Sequence, residues 1–169
     1  MIKVWDFPTR IFHWTLVIAM AVCLYTSYNF SDYYELGFLG GRSAMEIHQY
    51  SGLFILGLML FRILWGFIGA TTSRFTNFIK GPKAIASYLA EGKTATEGHN
   101  PLGALMVIAM LAMIFTQVVT GLFLEDNSYM YQNAPFASIV EGDTRANLKL
   151  IHYYGRNILI GLIGLHIVA

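Results

Sequence analysis

"NLKLIHYYGRNILIGLIGLHIVA", residues 147–169, sets two histidines, His152 and His166, inside a run that otherwise has the composition of a membrane segment. Imidazoles at membrane depth are expensive and ordinarily mark function. Fourteen residues separate the two, so on a helix they stand about 21 Å apart along the axis and about 40° apart around it. They share one face at two depths. What each of them meets depends on the rest of the chain.

The 169 residues are 56% hydrophobic and 12% charged, with a mean hydropathy of +0.53. That lies far from the balance of a soluble domain. A bilayer span takes about 20 mostly apolar residues, and four stretches qualify, at about 11–29, 45–68, 101–124 and 147–169. The expectation is one all-α integral membrane domain over 1–169, an up-down bundle of four transmembrane helices. A net charge of +1 gives no reason to expect nucleic acid as a partner. Membrane lipid is the partner that the composition demands.

Placement of charge sets the orientation. Lys3 and Arg10 precede the first span, and Arg74, Lys80, Lys83 and Lys93 fill the connection between the second and third. The other two connections hold Arg42, Arg145 and Lys149. Six cations against three predict both termini on the cytoplasmic side. The inner connection also contains Pro82, which opens a short helix with Ile85, Tyr88 and Leu89 at helical spacing. An interfacial position fits that helix, and an ordinary amphipathic loop helix fits it better. "GHNPLGAL" offers Asn100 as N-cap and Pro101 as the first helical residue of the third span.

The outer connection, residues 125–146, carries Glu125, Asp126, Glu141 and Asp143 beside Tyr129, Met130, Tyr131 and Phe136. It is long enough to form a docking surface, with a solvated loop as the default. The lone Cys23 excludes an internal disulfide, and no CxxCH motif is present for covalent haem. The start, "MIKVWDFPTRIFHWTLVIAMAVC", has a charged beginning like a signal peptide, but Asp6, His13 and the lack of an A-x-A site argue that it stays as the first span.

Four of the five histidines fall inside the expected spans. The bland reading of any one is a polar residue satisfied by a neighbouring helix. Their depths favour another. With the amino terminus inside, His13 begins span one at the inner level and His48 begins span two at the outer. His152 begins span four, also outer, and His166 lies near its inner end. Each level therefore holds two histidines from different helices, His48 with His152 and His13 with His166. Two imidazoles facing across a bundle core are what a six-coordinate haem iron needs, and two levels imply two haems. Zinc wants three or four ligands converging. A di-metal carboxylate centre wants glutamates in the spans, where Glu46 is insufficient. A haem-free proton-relay transporter uses histidines too, but it does not explain paired depths.

Neighbouring residues fit the same reading. Gly52 follows His48 by four and Gly155 follows His152 by three, where a flat macrocycle could approach the helix; close helix packing is the rival for either glycine. Arg62 lies on nearly the face of His48 at the inner level, and Arg156 lies one turn below His152. Contact with a haem propionate or a quinone competes there with snorkelling to headgroups. His99, at the inner start of span three, could replace His13 as a ligand, or bind a propionate or a quinone oxygen.

Taken in order, "VWDFPTRIFHW", "MEIHQYSG", "LMLFRILWGFIG", "GHNPLGAL", "GLFLEDN" and "IHYYGRNILIGLIGLH" resemble the bacterial cytochrome b561 family. They are also similar to the cytochrome b subunits of membrane-bound nickel-iron hydrogenases. The resemblance implies a bacterial inner-membrane electron carrier with two bis-histidine haem b groups held by His13, His48, His152 and His166. Such a protein exchanges electrons between a periplasmic redox partner and the quinone pool, with quinone placed near Arg10, Arg62 and His99. The short first connection and the outer segment favour a c-type cytochrome over a hydrogenase as that partner. A superoxide:quinone oxidoreductase is the enzymatic alternative. The chain stops three residues after His166 without a basic flank, which predicts a longer native protein.

Overall fold

The computed structural model describes residues 5–35, 40–79, 81–91, 100–125 and 133–168. These are mostly helical. The long helices are α1 (Phe7–Tyr28), α2 (Ala44–Ile68), α5 (Pro101–Gly121) and α6 (Gly142–Val168). Two short ones, α3 (Phe75–Phe78) and α4 (Pro82–Glu91), lie between α2 and α5. Strands β1 (Tyr33–Glu35) and β2 (Gly41–Ser43) form a small antiparallel hairpin between α1 and α2, with Tyr34 opposite Arg42.

Local chemistry explains where the helices begin. Asp6 caps α1 by accepting from the Thr9 amide at 2.7 Å, with Pro8 in the first turn. This starts the helix at Phe7, four residues ahead of the expected span. Ser43 and Glu46 form a reciprocal capping box at the head of α2. Asn100 caps α5 through the Gly103 amide at 2.7 Å, with Pro101 at the first position. At its far end α5 stops at Gly121, where the Leu122 amide folds back on the Val118 and Val119 carbonyls.

Gly142, at φ 53°, turns the chain into α6 five residues before the expected span. The added turn carries Arg145, whose guanidinium binds Glu125 and donates to the Ala137 carbonyl at 2.9 Å and the Val140 carbonyl at 2.6 Å. The outer connection is thereby tied to both helices it joins. Its segment 126–132, with Asp126, Tyr129, Met130 and Tyr131, lies outside the described residues, as do Lys80, Lys93 and His99.

The four long helices share one core. Phe12, Leu16 and Ala19 of α1 meet Ile55 and Met59 of α2, Ile114 and Val118 of α5, and Leu159 of α6. Principal packing runs α1 on α2, α2 on α5 and α5 on α6. Around this thin core, large apolar side chains such as Trp14, Ile18, Leu64, Phe67, Leu105 and Ile158 face outward. A helical assembly that is apolar on its outside is built for lipid.

Helices α1, α2 and α5 are long and apolar enough to cross a membrane. At 27 residues, α6 reaches about 40 Å, more than the roughly 30 Å hydrocarbon core. It falls outside that set of three because Arg156, Asn157 and its two histidines dilute its apolar residues.

Candidate functional site

His48 and His152 approach each other at one end of the core, their ring centres 6.3 Å apart and their planes at 80°. His13 and His166 approach at the other end, 6.4 Å apart and at 54°. Both pairings expected from helix direction are therefore present, each joining α6 to a different helix.

The separation tests whether a metal fits. A metal–imidazole bond is about 2 Å, and a five-membered ring with bonds of about 1.35 Å puts each nitrogen about 1.15 Å from the ring centre. Two imidazoles on opposite sides of one metal thus have centres about 6.3 Å apart. Both pairs meet that value. Among the described residues no group of three or more His, Cys, Asp or Glu side chains forms a metal cluster. Two axial nitrogens alone suit a macrocycle that brings its own four equatorial donors.

The His48–His152 pair, expected on the outer side, is oriented by its neighbours. His48 Nδ1 lies 2.9 Å from the Cys23 carbonyl oxygen on α1, with Cys23 Sγ at 3.5 Å. His152 Nδ1 lies 3.0 Å from the Gln117 carbonyl oxygen and 3.1 Å from Thr120 Oγ1, both on α5. Protons on these Nδ1 atoms would leave Nε2 of each ring free to coordinate, the arrangement typical of metal-bound histidine. A Cβ placed on Gly121 would come within 3.1 Å of His152 Cε1, so that glycine makes room for the ring. The Phe30 ring stands edge-on to His48 at 5.5 Å. Arg156 lies over the Tyr28 ring at 4.7 Å and the Tyr153 ring at 5.2 Å.

Polar contacts also gather at the end that holds His13 and His166, expected on the inner side. Asp6 accepts from Trp65 Nε1 at 3.0 Å and Ser73 Oγ at 3.1 Å, and Ser73 Oγ meets Thr9 Oγ1 at 2.8 Å. Burial would raise the Asp6 pKa, but hydrogen bonds from Thr9, Trp65 and Ser73 outweigh it and hold the carboxyl below the usual aspartate range. Arg62 is buried, donates to the Ser73 carbonyl at 3.2 Å and stacks on Phe75 at 4.9 Å. Its guanidinium is thus held inside the protein, between Ser73 and Phe75. Arg10 is exposed on the first turn of α1, and His13 and His166 are exposed as well.

The two glycines part company. A Cβ on Gly52 would meet nothing within 4 Å, which leaves open space one turn from His48. A Cβ on Gly155 would run into the end of the Gln117 side chain of α5, so protein and not open space lies against that position. Sequence reasoning missed Cys23, Gln117, Thr120 and Gly121 around the outer pair, and Asp6, Trp65 and Ser73 at the inner end. Only the "DFPT" helix start was a local signal for any of them.

Two curated relatives, the probable Ni/Fe-hydrogenase 1 B-type cytochrome subunits of Escherichia coli K12 and of Escherichia coli O157:H7, are each 28% identical to the chain over 160 residues. The alignment covers 82% of this chain and 66% of either relative, so the chain spans just under two thirds of their length. No solved structure matches. Residues 4–169 match the family described as prokaryotic cytochrome b561. With paired histidines at two levels and a family match over nearly every residue, the chain belongs to the prokaryotic cytochrome b561 family.

Proposed function

We propose that this protein is a four-span cytochrome b of the bacterial inner membrane, with both termini cytoplasmic, that carries electrons between a periplasmic redox partner and quinone. His48 with His152 would hold an outer haem b, and His13 with His166 an inner one. Haem b supplies one-electron exchange at its iron. The protein's part is to fix ligand geometry, exclude water and place charge nearby.

One observation carries this reading. Two separate histidine pairs, each bridging two helices, have ring-centre separations of 6.3 and 6.4 Å, the spacing that bis-imidazole ligation of one iron requires. Arg156 beside the outer pair and Arg62 at the inner end are the cations for haem propionates, or for a quinone at the inner site near Arg10. A c-type cytochrome remains the proposed partner on the strength of the outer segment. The name of the curated relatives favours a second partner, a nickel-iron hydrogenase.

Haem content tests the proposal. Pyridine haemochrome analysis of the purified protein should give two haems per chain, and His48→Ala or His152→Ala should each leave one. Full haem content in both variants would sink the pairing. A protein that purifies without a Soret band would leave the proton-relay reading instead.

A further inference from the structure

The two pairs share a spacing but differ in what holds them. At the outer level each Nδ1 is tied to a backbone carbonyl of a neighbouring helix: His48 of α2 to Cys23 of α1, and His152 of α6 to Gln117 of α5. These two contacts, with the facing rings between them, link all four long helices in the order α1–α2–α6–α5. Among the described residues, His13 and His166 make no such hydrogen bond. Their ring contacts are with each other and between His13 and Trp14 at 5.3 Å.

Thr120 and Gly121 complete the outer arrangement. Thr120 Oγ1 donates to the Thr116 carbonyl at 2.7 Å and to the Gln117 carbonyl at 3.1 Å. Its proton is therefore committed to backbone, and a lone pair faces His152 Nδ1. Gly121 leaves the space that the ring occupies. Partners of this kind fix the ring plane and the tautomer, and losing one typically weakens metal binding by about 10–100-fold.

We propose that Gln117, Thr120 and Gly121 of α5, with the Cys23 carbonyl of α1, form a positioning cradle that fixes the ring planes and tautomers of the outer histidine pair and so strengthens its hold on the haem. Thr120 acts through His152 and is a positioning residue. The proposal rests on the bis-histidine reading above.

Haem loss from the intact, detergent-solubilised holoprotein to excess apomyoglobin is the test. The single-haem variants His166→Ala and His152→Ala serve as references for the outer and inner spectra. Ferric EPR adds a signature of the ring planes. Imidazole planes near perpendicular leave two iron d orbitals almost degenerate, so the 80° pair should give the more anisotropic low-spin signal.

Thr120→Val should speed loss of the outer haem several-fold and alter the anisotropic signal without changing the loss of the inner haem. Thr120→Ser, which keeps the hydroxyl, should restore both. Gly121→Leu should empty the outer site alone. Unchanged loss of the outer haem in Thr120→Val, or equal acceleration of both haems, would overturn the cradle. Unchanged haem content in His48→Ala and His152→Ala would instead overturn the ligation reading beneath it.

Discussion

Asp6, which caps α1, receives the indole N–H of Trp65 near the end of α2 at 3.0 Å across 59 residues of sequence. One carboxylate thus starts the first helix and fastens it to the second, at the same end as His13, His166 and Arg62. Loss of the cap alone costs about 1 kcal/mol. Asp6→Ala should lower thermal stability by more than that, since Trp65 and Ser73 lose their acceptor. Asp6→Asn should recover the cap and only part of the rest, as read by thermal melts in detergent.

The same carboxylate gives a pH dependence of defined sign. Its folded pKa lies below the ordinary value of 3.8, so its stabilising contribution is fully present above that value. It is lost as pH falls through the lower folded pKa. Melting temperature should therefore drop on acidification below about pH 4, and the drop should be smaller in Asp6→Asn. Parallel curves for the two proteins would contradict the assignment.

Arg62 should act on the inner haem alone. Removing a nearby cation favours the oxidised, more positive iron, so Arg62→Leu should lower one midpoint potential by tens of millivolts, against the roughly 59 mV that mark a tenfold change in a one-electron couple. Arg62→Lys keeps the charge and should keep most of the potential, but it loses the stacked guanidinium on Phe75 and with it some stability. Potentiometric titration separates the two outcomes.

Arg145 should govern the outer connection. It binds Glu125 and two carbonyls of residues 137–140, and its half-exposed ion pair contributes less than those carbonyl contacts. Arg145→Ala should destabilise the segment by about 1–2 kcal/mol and expose it to limited proteolysis. Haem content should stay unchanged, because the segment's anchor lies outside both histidine pairs.

A further prediction concerns the inner ligands directly. His13→Ala and His166→Ala should each remove one haem and leave the outer spectrum intact, measured by reduced-minus-oxidised absorption. If either variant retains both haems, a different residue completes the inner site.

Much of this protein was legible in the sequence because membrane folding depends on few variables. Apolar run length marks the long helices, and helical pitch puts His152 and His166 on one face at two depths. Alternating helix direction then pairs His48 with His152 and His13 with His166 without any knowledge of packing. The helix start at Asn100 could also be read, since capping is local chemistry, whereas the cap at Asp6 was passed over because it lies ahead of the apolar run.

Tertiary structure decided the rest. Whether Gly52 or Gly155 faces open space depends on where α5 lies, and Gly155 turned out to face Gln117. Arg62 gave no local sign of being buried between Ser73 and Phe75. The partners of His48 are the Cys23 sulfur and backbone oxygen, and a backbone carbonyl carries no sequence signal because every residue has one. Pitch determines which side chains share a face, while the rotation and approach of neighbouring helices determine which main-chain oxygen meets an imidazole.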